Sequence, residues 1–153
     1  MKHLTYLLNS VLAVLLISSI LFAQEELEKK QNLNLGDMIV KIDNIESDEG
    51  VIMLALYVGE DNYAENRTFN AAKVSITESV AEYTFENVPF GEYAIKCYHD
   101  ENENSKLDTN MFGIPSEGYG FSNNATGNFG PADYEDAEFK FETNQQVVEI
   151  SIQ

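Results

Sequence analysis

Apolar and polar residues alternate along much of this chain. Met38, Val40 and Ile42 share one side of an extended segment, with Lys41 and Asp43 on the other, the period-two signature of a half-buried strand. Val51 to Val58 is apolar on both faces and reads as a central strand. Gly59 to Asn70 is loop-like, and Ala71 to Thr77 is a weaker strand candidate. From Val80 to Asn87 the inward set is Ala81, Tyr83 and Phe85 and the outward set Glu82, Thr84 and Glu86. Val88-Pro89-Phe90-Gly91 has the chemistry of a tight turn and leads into a strand over Glu92–His99. Ala137, Phe139 and Phe141 alternate with Glu138, Lys140 and Glu142, and Val148, Ile150 and Ile152 form a last strand. About seven short strands, joined by turn residues and without internal repeats, predict an all-β fold. The expected architecture is a single antiparallel β-sandwich with a long Gly/aromatic loop.

Residues 1–23 have a cationic start at Lys2, an apolar run from Val11 to Phe22, and the small residue Ala23 ahead of Gln24. This is the layout of a secretory signal peptide cleaved after Ala23. An uncleaved anchor is the alternative; Asn9, Ser10, Ser18 and Ser19 weaken it, and no basic cluster follows to stop transfer. Residues 24–37 are expected to be a flexible spacer and 38–153 the β-domain. The expected location is secreted, periplasmic or at the cell envelope, with no membrane span after cleavage.

Charge narrows the partners. The formal net charge is −17, and loss of a leader whose charged residue is Lys2 takes it to −18. Such a surface repels phosphate backbones, which argues against nucleic acid, and suits a cation. The single cysteine, Cys97, cannot form an intramolecular disulfide. It alternates with Tyr93 and Ile95 and reads as a buried small hydrophobe.

The most informative stretch is Tyr93 to Asn124. Asp100, Asn102, Asn104, Lys106 and Asp108 sit at alternate positions, the spacing at which a calcium loop places side-chain oxygens and, at its seventh position, a backbone carbonyl. Leu107 supplies an apolar anchor. Two features depart from that pattern: Ser105 stands where glycine is wanted, and Met111 where a bidentate carboxylate is wanted. Glu117, Glu101 or Glu103 could substitute. With two motif carboxylates the expected affinity is weak, on the order of 10⁻⁴–10⁻³ M. The competing reading is an Asx-rich turn that satisfies its own backbone. One histidine and one cysteine after the leader are too few for zinc or copper.

Segment 111–134 carries Tyr119, Phe121, Phe129 and Tyr134 among glycines. With Glu117 and Asn123 it is a candidate carbohydrate- or peptide-binding loop, or else the aromatics fold back over the domain. A hydrolase using Asp100, Asp108 and Glu117 is the least favoured reading, and the expectation is that the protein is not an enzyme.

The run F-E-N-V-P-F-G-E-Y-A-I-K, Phe85 to Lys96, looks like the hairpin of transthyretin-like and other immunoglobulin-like bacterial sandwich modules. Further matches are His99–Asn102, Asn104, Leu107-Asp108, Gly113–Pro115, Glu117–Asn123 and Ala137–Phe139. Together they make residues 38–153 resemble the bacterial family catalogued as domain of unknown function 2141. Ser105 departs from it, since a glycine is usual there. The resemblance implies a β-sandwich and export, and it implies no activity. The resulting expectation is an exported module with a weak calcium loop and an envelope protein or a glycan as partner.

Overall fold

The computed structural model describes residues 16–22, 24, 34–128 and 130–153. Much of the expected leader, including its cleavage residue Ala23, most of the spacer, and Phe129 lie outside the described residues. Residues 16–22 are helical, and among the described residues no helix is long and apolar enough to cross a membrane. Met1–Asn34 and Leu35–Gln153 are separate units, and the second carries the β-structure.

Eight strands occur among the described residues: β1 Leu35–Asp43, β2 Val51–Tyr57, β3 Asn70–Ser75, β4 Ala81–Pro89, β5 Gly91–Asp100, β6 Tyr119–Phe121, β7 Phe139–Phe141 and β8 Gln145–Ser151. They make a three-stranded sheet, β4-β1-β8, and a five-stranded one, β3-β2-β5-β6, in which β7 pairs with the start of β5. The alternation read from the sequence decides what is buried. Met38, Val40 and Ile42 of β1, Phe85 of β4, and Val148 and Ile150 of β8 face a core shared with Ile52, Leu54 and Leu56 of β2 and Tyr93, Ile95 and Cys97 of β5. β2 is a central strand, as its apolar character predicts.

The pairings correct several expectations. β8 runs parallel to β1, in register from Asp37↔Gln145 to Asp43↔Ser151, so the first sheet is mixed. The Pro89–Gly91 turn does not close a hairpin: β4 pairs with β1 and β5 with β2, so the chain changes sheets there. Pro89 has no N–H to continue the ladder, and the Tyr93 hydroxyl donates to the Pro89 carbonyl at 2.7 Å, bracing the arch. Strand β1 begins at Leu35, ahead of Met38. Ala137 ends a short helix, Tyr134–Ala137, and only Phe139–Phe141 is strand. The 59–70 loop contains a short helix, Glu60–Ala64, that buries Tyr63.

The outer face of the five-stranded sheet is also covered. Tyr57, Tyr63, Ala94, Phe121, Ala125, Ala132 and Ala137 form a second cluster, with Tyr119 and Tyr134 packed against it. Lys96 reaches into this cluster. Its ammonium lies 3.9 Å from the Tyr63 ring centre and donates to the Tyr63 carbonyl and Asn66 Oδ1, each at 2.8 Å. Burial lowers the Lys96 pKa and raises that of Tyr63.

Two predictions follow from local geometry. Glu78 and Ser79 both have positive φ between Thr77 and Val80, an I′-type turn built without its preferred Asn-Gly. The Asp48 carboxylate holds it, accepting from the N–H groups of Glu78 (3.1 Å) and Ser79 (2.8 Å). Asp48→Ala should cost about 1 kcal/mol, read as a fall in thermal midpoint of about 4 °C. Burial pushes the Cys97 thiol up to about 12. A thiol reagent at neutral pH should therefore label Cys97 only as fast as the protein opens, and at once in denaturant.

Candidate functional site

The oxygen-rich loop hangs from the end of β5. Its first residue, Asp100, is fully buried because the β2 end of the sheet closes over it: Gly50, at φ 73°, packs so tightly on the Asp100 carbonyl that a Cβ there would lie 2.2 Å from the oxygen. A buried carboxylate must find donors. Asp100 Oδ1 accepts from the N–H of Asn104 at 2.9 Å, and Oδ2 from the N–H of Ser105 at 2.8 Å. The Asn102 side-chain carbonyl accepts from the N–H of Asn104, and that of Asn104 from the N–H of Lys106. These bonds curl the chain tightly, with Glu103 and Ser105 both at positive φ. Ser105 thus adopts the left-handed conformation for which a glycine would be the natural choice, and Lys73 donates to its hydroxyl at 3.0 Å.

Three of the five predicted metal-ligating side chains converge. The Asn102 amide donates to Asp108 Oδ2 at 2.7 Å, and the Asn104 amide to both Asp108 oxygens at 3.1 Å. The two amide groups therefore occupy positive positions around Asp108, as a cation would. Their side-chain carbonyl oxygens are held by the N–H groups of Asn104 and Lys106, so presenting those oxygens to a cation would break these two bonds. Asp100 stands at the loop's root, and Lys106 contributes its backbone carbonyl only by its place in the register. Among the described residues no three histidine, cysteine or carboxylate side chains gather as a metal-holding group. Any cation would rest on two carboxylates with amide and backbone oxygens, a hard-oxygen set that suits calcium.

Glu117 is a clamp. It is buried; Oε1 accepts from the N–H of Glu101 at 3.1 Å and Oε2 from the N–H of Asp108 at 2.8 Å, joining the two ends of the loop. Both oxygens of Asp100 and of Glu117 are engaged by backbone N–H groups.

The aromatic candidates fold inward. Phe121 is 6% exposed inside the second cluster, and Tyr119 lies edge-on to it at 5.8 Å, so the Phe121 ring has no open face for a sugar. Gly118 and Gly120 alternate with these rings because a Cβ at either would strike Ile152 or Ile150 of the core, at 2.4 and 2.7 Å. Asn123 is part of a clasp rather than an open ligand site. Ser122 Oγ accepts from the Ile95 N–H and donates to the Ala137 carbonyl. Asn123 donates to the carbonyls of Asp136 and Glu138, and Asn124 accepts from the Ser151 N–H.

The start of segment 111–134, whose apolar residues the sequence reading did not single out as an exposed tip, lies between these clamps. Asn110 Oδ1 accepts from the N–H groups of Phe112 and Ile114, the Asn110 N–H donates to the Ile114 carbonyl, and Thr109 bridges to Pro115. This small braced turn presents Met111, Phe112 and Ile114 at 89%, 80% and 59% exposure. Three apolar residues within four positions of a polar loop were the available signal.

Residues 40–149 match a family described as an uncharacterized protein conserved in bacteria, domain of unknown function 2141, and the chain belongs to that family. No curated protein and no solved structure matches it.

The clamps predict stability changes. Glu117→Ala leaves two N–H groups without their acceptor and should lower stability by about 1–3 kcal/mol in denaturant titration. Ser105→Gly should be neutral or slightly stabilising, whereas Ser105→Val, β-branched at positive φ, should cost about 2 kcal/mol.

Proposed function

We propose that this member of an uncharacterized bacterial family is an exported, non-enzymatic module that docks to a partner at the cell envelope. Its two sheets are read as a sandwich. Its docking element is the apolar tip, and the Asp100–Asp108 loop is a weak calcium site that stiffens the base of that tip. The observation that carries this reading is the exposure of Met111, Phe112 and Ile114 on a braced turn, directly after a loop in which the Asn102 and Asn104 amides gather on the Asp108 carboxylate. Exposed apolar groups on a rigid turn gain little from folding and much from a partner that covers them. Calcium would be held by Asp100, Asn102, Asn104, the Lys106 carbonyl and Asp108, and would neutralise charge that the apo loop balances with amide dipoles. The rest of the chain's chemistry acts by holding the loop and its tip in place.

The alternative, a carbohydrate- or peptide-binding module built on segment 111–134, rests on Phe112, since Tyr119 and Phe121 are packed against the sheet.

Calcium at millimolar concentration should bind a chelator-treated sample saturably, with a dissociation constant on the order of 10⁻⁴–10⁻³ M by calorimetry. At a concentration ten times that constant it should add about 1.4 kcal/mol of stability. Asp108→Asn should abolish both effects, and an unchanged thermal midpoint with no heat of binding would remove calcium from the proposal. Phe112→Ser should leave stability within about 0.5 kcal/mol while reducing retention on isolated bacterial envelopes; unchanged retention there would sink the docking role. Loss of retention on a glycan panel instead would favour the alternative.

A further inference from the structure

The apolar tip is more than exposed: it satisfies its own backbone. The N–H groups of Phe112 and Ile114 end on Asn110 Oδ1 at 2.9 and 3.2 Å, and that of Gly113 on the Asn110 carbonyl at 2.9 Å. The Ile114 carbonyl accepts from the Asn110 N–H at 2.8 Å, and the Ser116 N–H donates to the Asp108 carbonyl at 2.9 Å. Water could serve all of these groups on an exposed turn. Their internal pairing matters most in a medium that offers no hydrogen bonds of its own. Charge is withheld in the same way. Thr109–Ser116 has no charged side chain. The carboxylates on either side are engaged, Asp108 by the Asn102 and Asn104 amides and the buried Glu117 by two backbone N–H groups. The turn is also convex: Gly113, at φ 76°, has open space where a side chain would stand.

We propose that Met111, Phe112 and Ile114 insert into the headgroup–acyl boundary of a zwitterionic lipid surface. This rests on the docking role given to the tip above and names its partner; it does not depend on calcium. A protein groove would have to match three side chains splayed on a convex turn, whereas acyl chains accept any apolar shape. The exposed Thr109, Asn110 and Ser116 give the tip a polar, uncharged base for the headgroup layer. A formal charge of −17 makes anionic lipid the poorer surface. Three side chains bury less apolar area than a single acyl chain, which binds with about 10⁴ M⁻¹, so attachment is reversible.

The chain has no tryptophan, so Phe112→Trp, at a position 80% exposed, puts a single reporter on the tip. In chelator and physiological salt, millimolar phosphatidylcholine vesicles should shift its emission to the blue, and lipid brominated on its acyl chains should quench it. Adding Met111→Ser and Ile114→Ser to this variant should lower partitioning by about tenfold with an unchanged thermal midpoint. Replacing part of the lipid by phosphatidylglycerol should weaken binding. An unmoved emission, binding that rises with anionic lipid, or binding indifferent to the two serines would overturn the proposal. Envelope retention separates this failure from that of the docking role. If vesicles fail and protease-treated envelopes no longer hold the wild-type protein, the tip docks to a protein and the lipid proposal falls alone. If Phe112→Ser is also retained like wild type, both fall.

Discussion

Burying a polar side chain obliges the chain around it to supply hydrogen bonds, and this obligation shapes everything that hangs from β5. Asp100, Glu117, Ser122 and His99 are buried, and each is answered by backbone: Asn104 and Ser105, Glu101 and Asp108, Ile95 and Ala137, and Glu49 respectively. Between them these residues fix the loop, its far end, the aromatic segment and the β2 turn. The long irregular stretch between β5 and β7 is therefore ordered by a few internal polar anchors, each of which costs stability if left unmet.

The parts of this fold that were legible in the sequence are those with a local signal. Alternation in Met38/Val40/Ile42 and in Ala81/Tyr83/Phe85 reports which side is wet, and the buried faces follow it. Pairing between distant segments leaves no such trace. Nothing within Val148–Ile152 says that its neighbour is β1 or that the two run parallel. The Pro89–Gly91 turn has the same residues whether it closes a hairpin or carries the chain to another sheet. Strand β6, at three residues, is too short for a period to show.

The candidate site was legible in its spacing and not in its division of labour. An Asx side chain looks the same in sequence whether it faces an ion, its own backbone or a neighbour. Here Asp100 and Glu117 are chiefly anchors, Asn123 is a clasp, and Asn102, Asn104 and Asp108 are the side chains that meet. His99 borders the loop at the end of its strand, and only the approach of the Glu49 carbonyl shows what its ring holds. The apolar tip was hidden by the habit of assigning apolar residues to cores.

The parallel pairing of β1 with β8 has a temporal consequence. β1 is the middle strand of its sheet, and one of its two neighbours is the last strand of the domain. Until Gln145–Ser151 is available, β1 has an open edge and the core lacks Val148 and Ile150. Closing that edge joins segments more than a hundred residues apart, which is slow and comes late in folding. Whatever the earlier segments have already formed, the three-stranded sheet is complete only when residues 145–151 have joined β1, so the domain's stability is held back to a single late pairing.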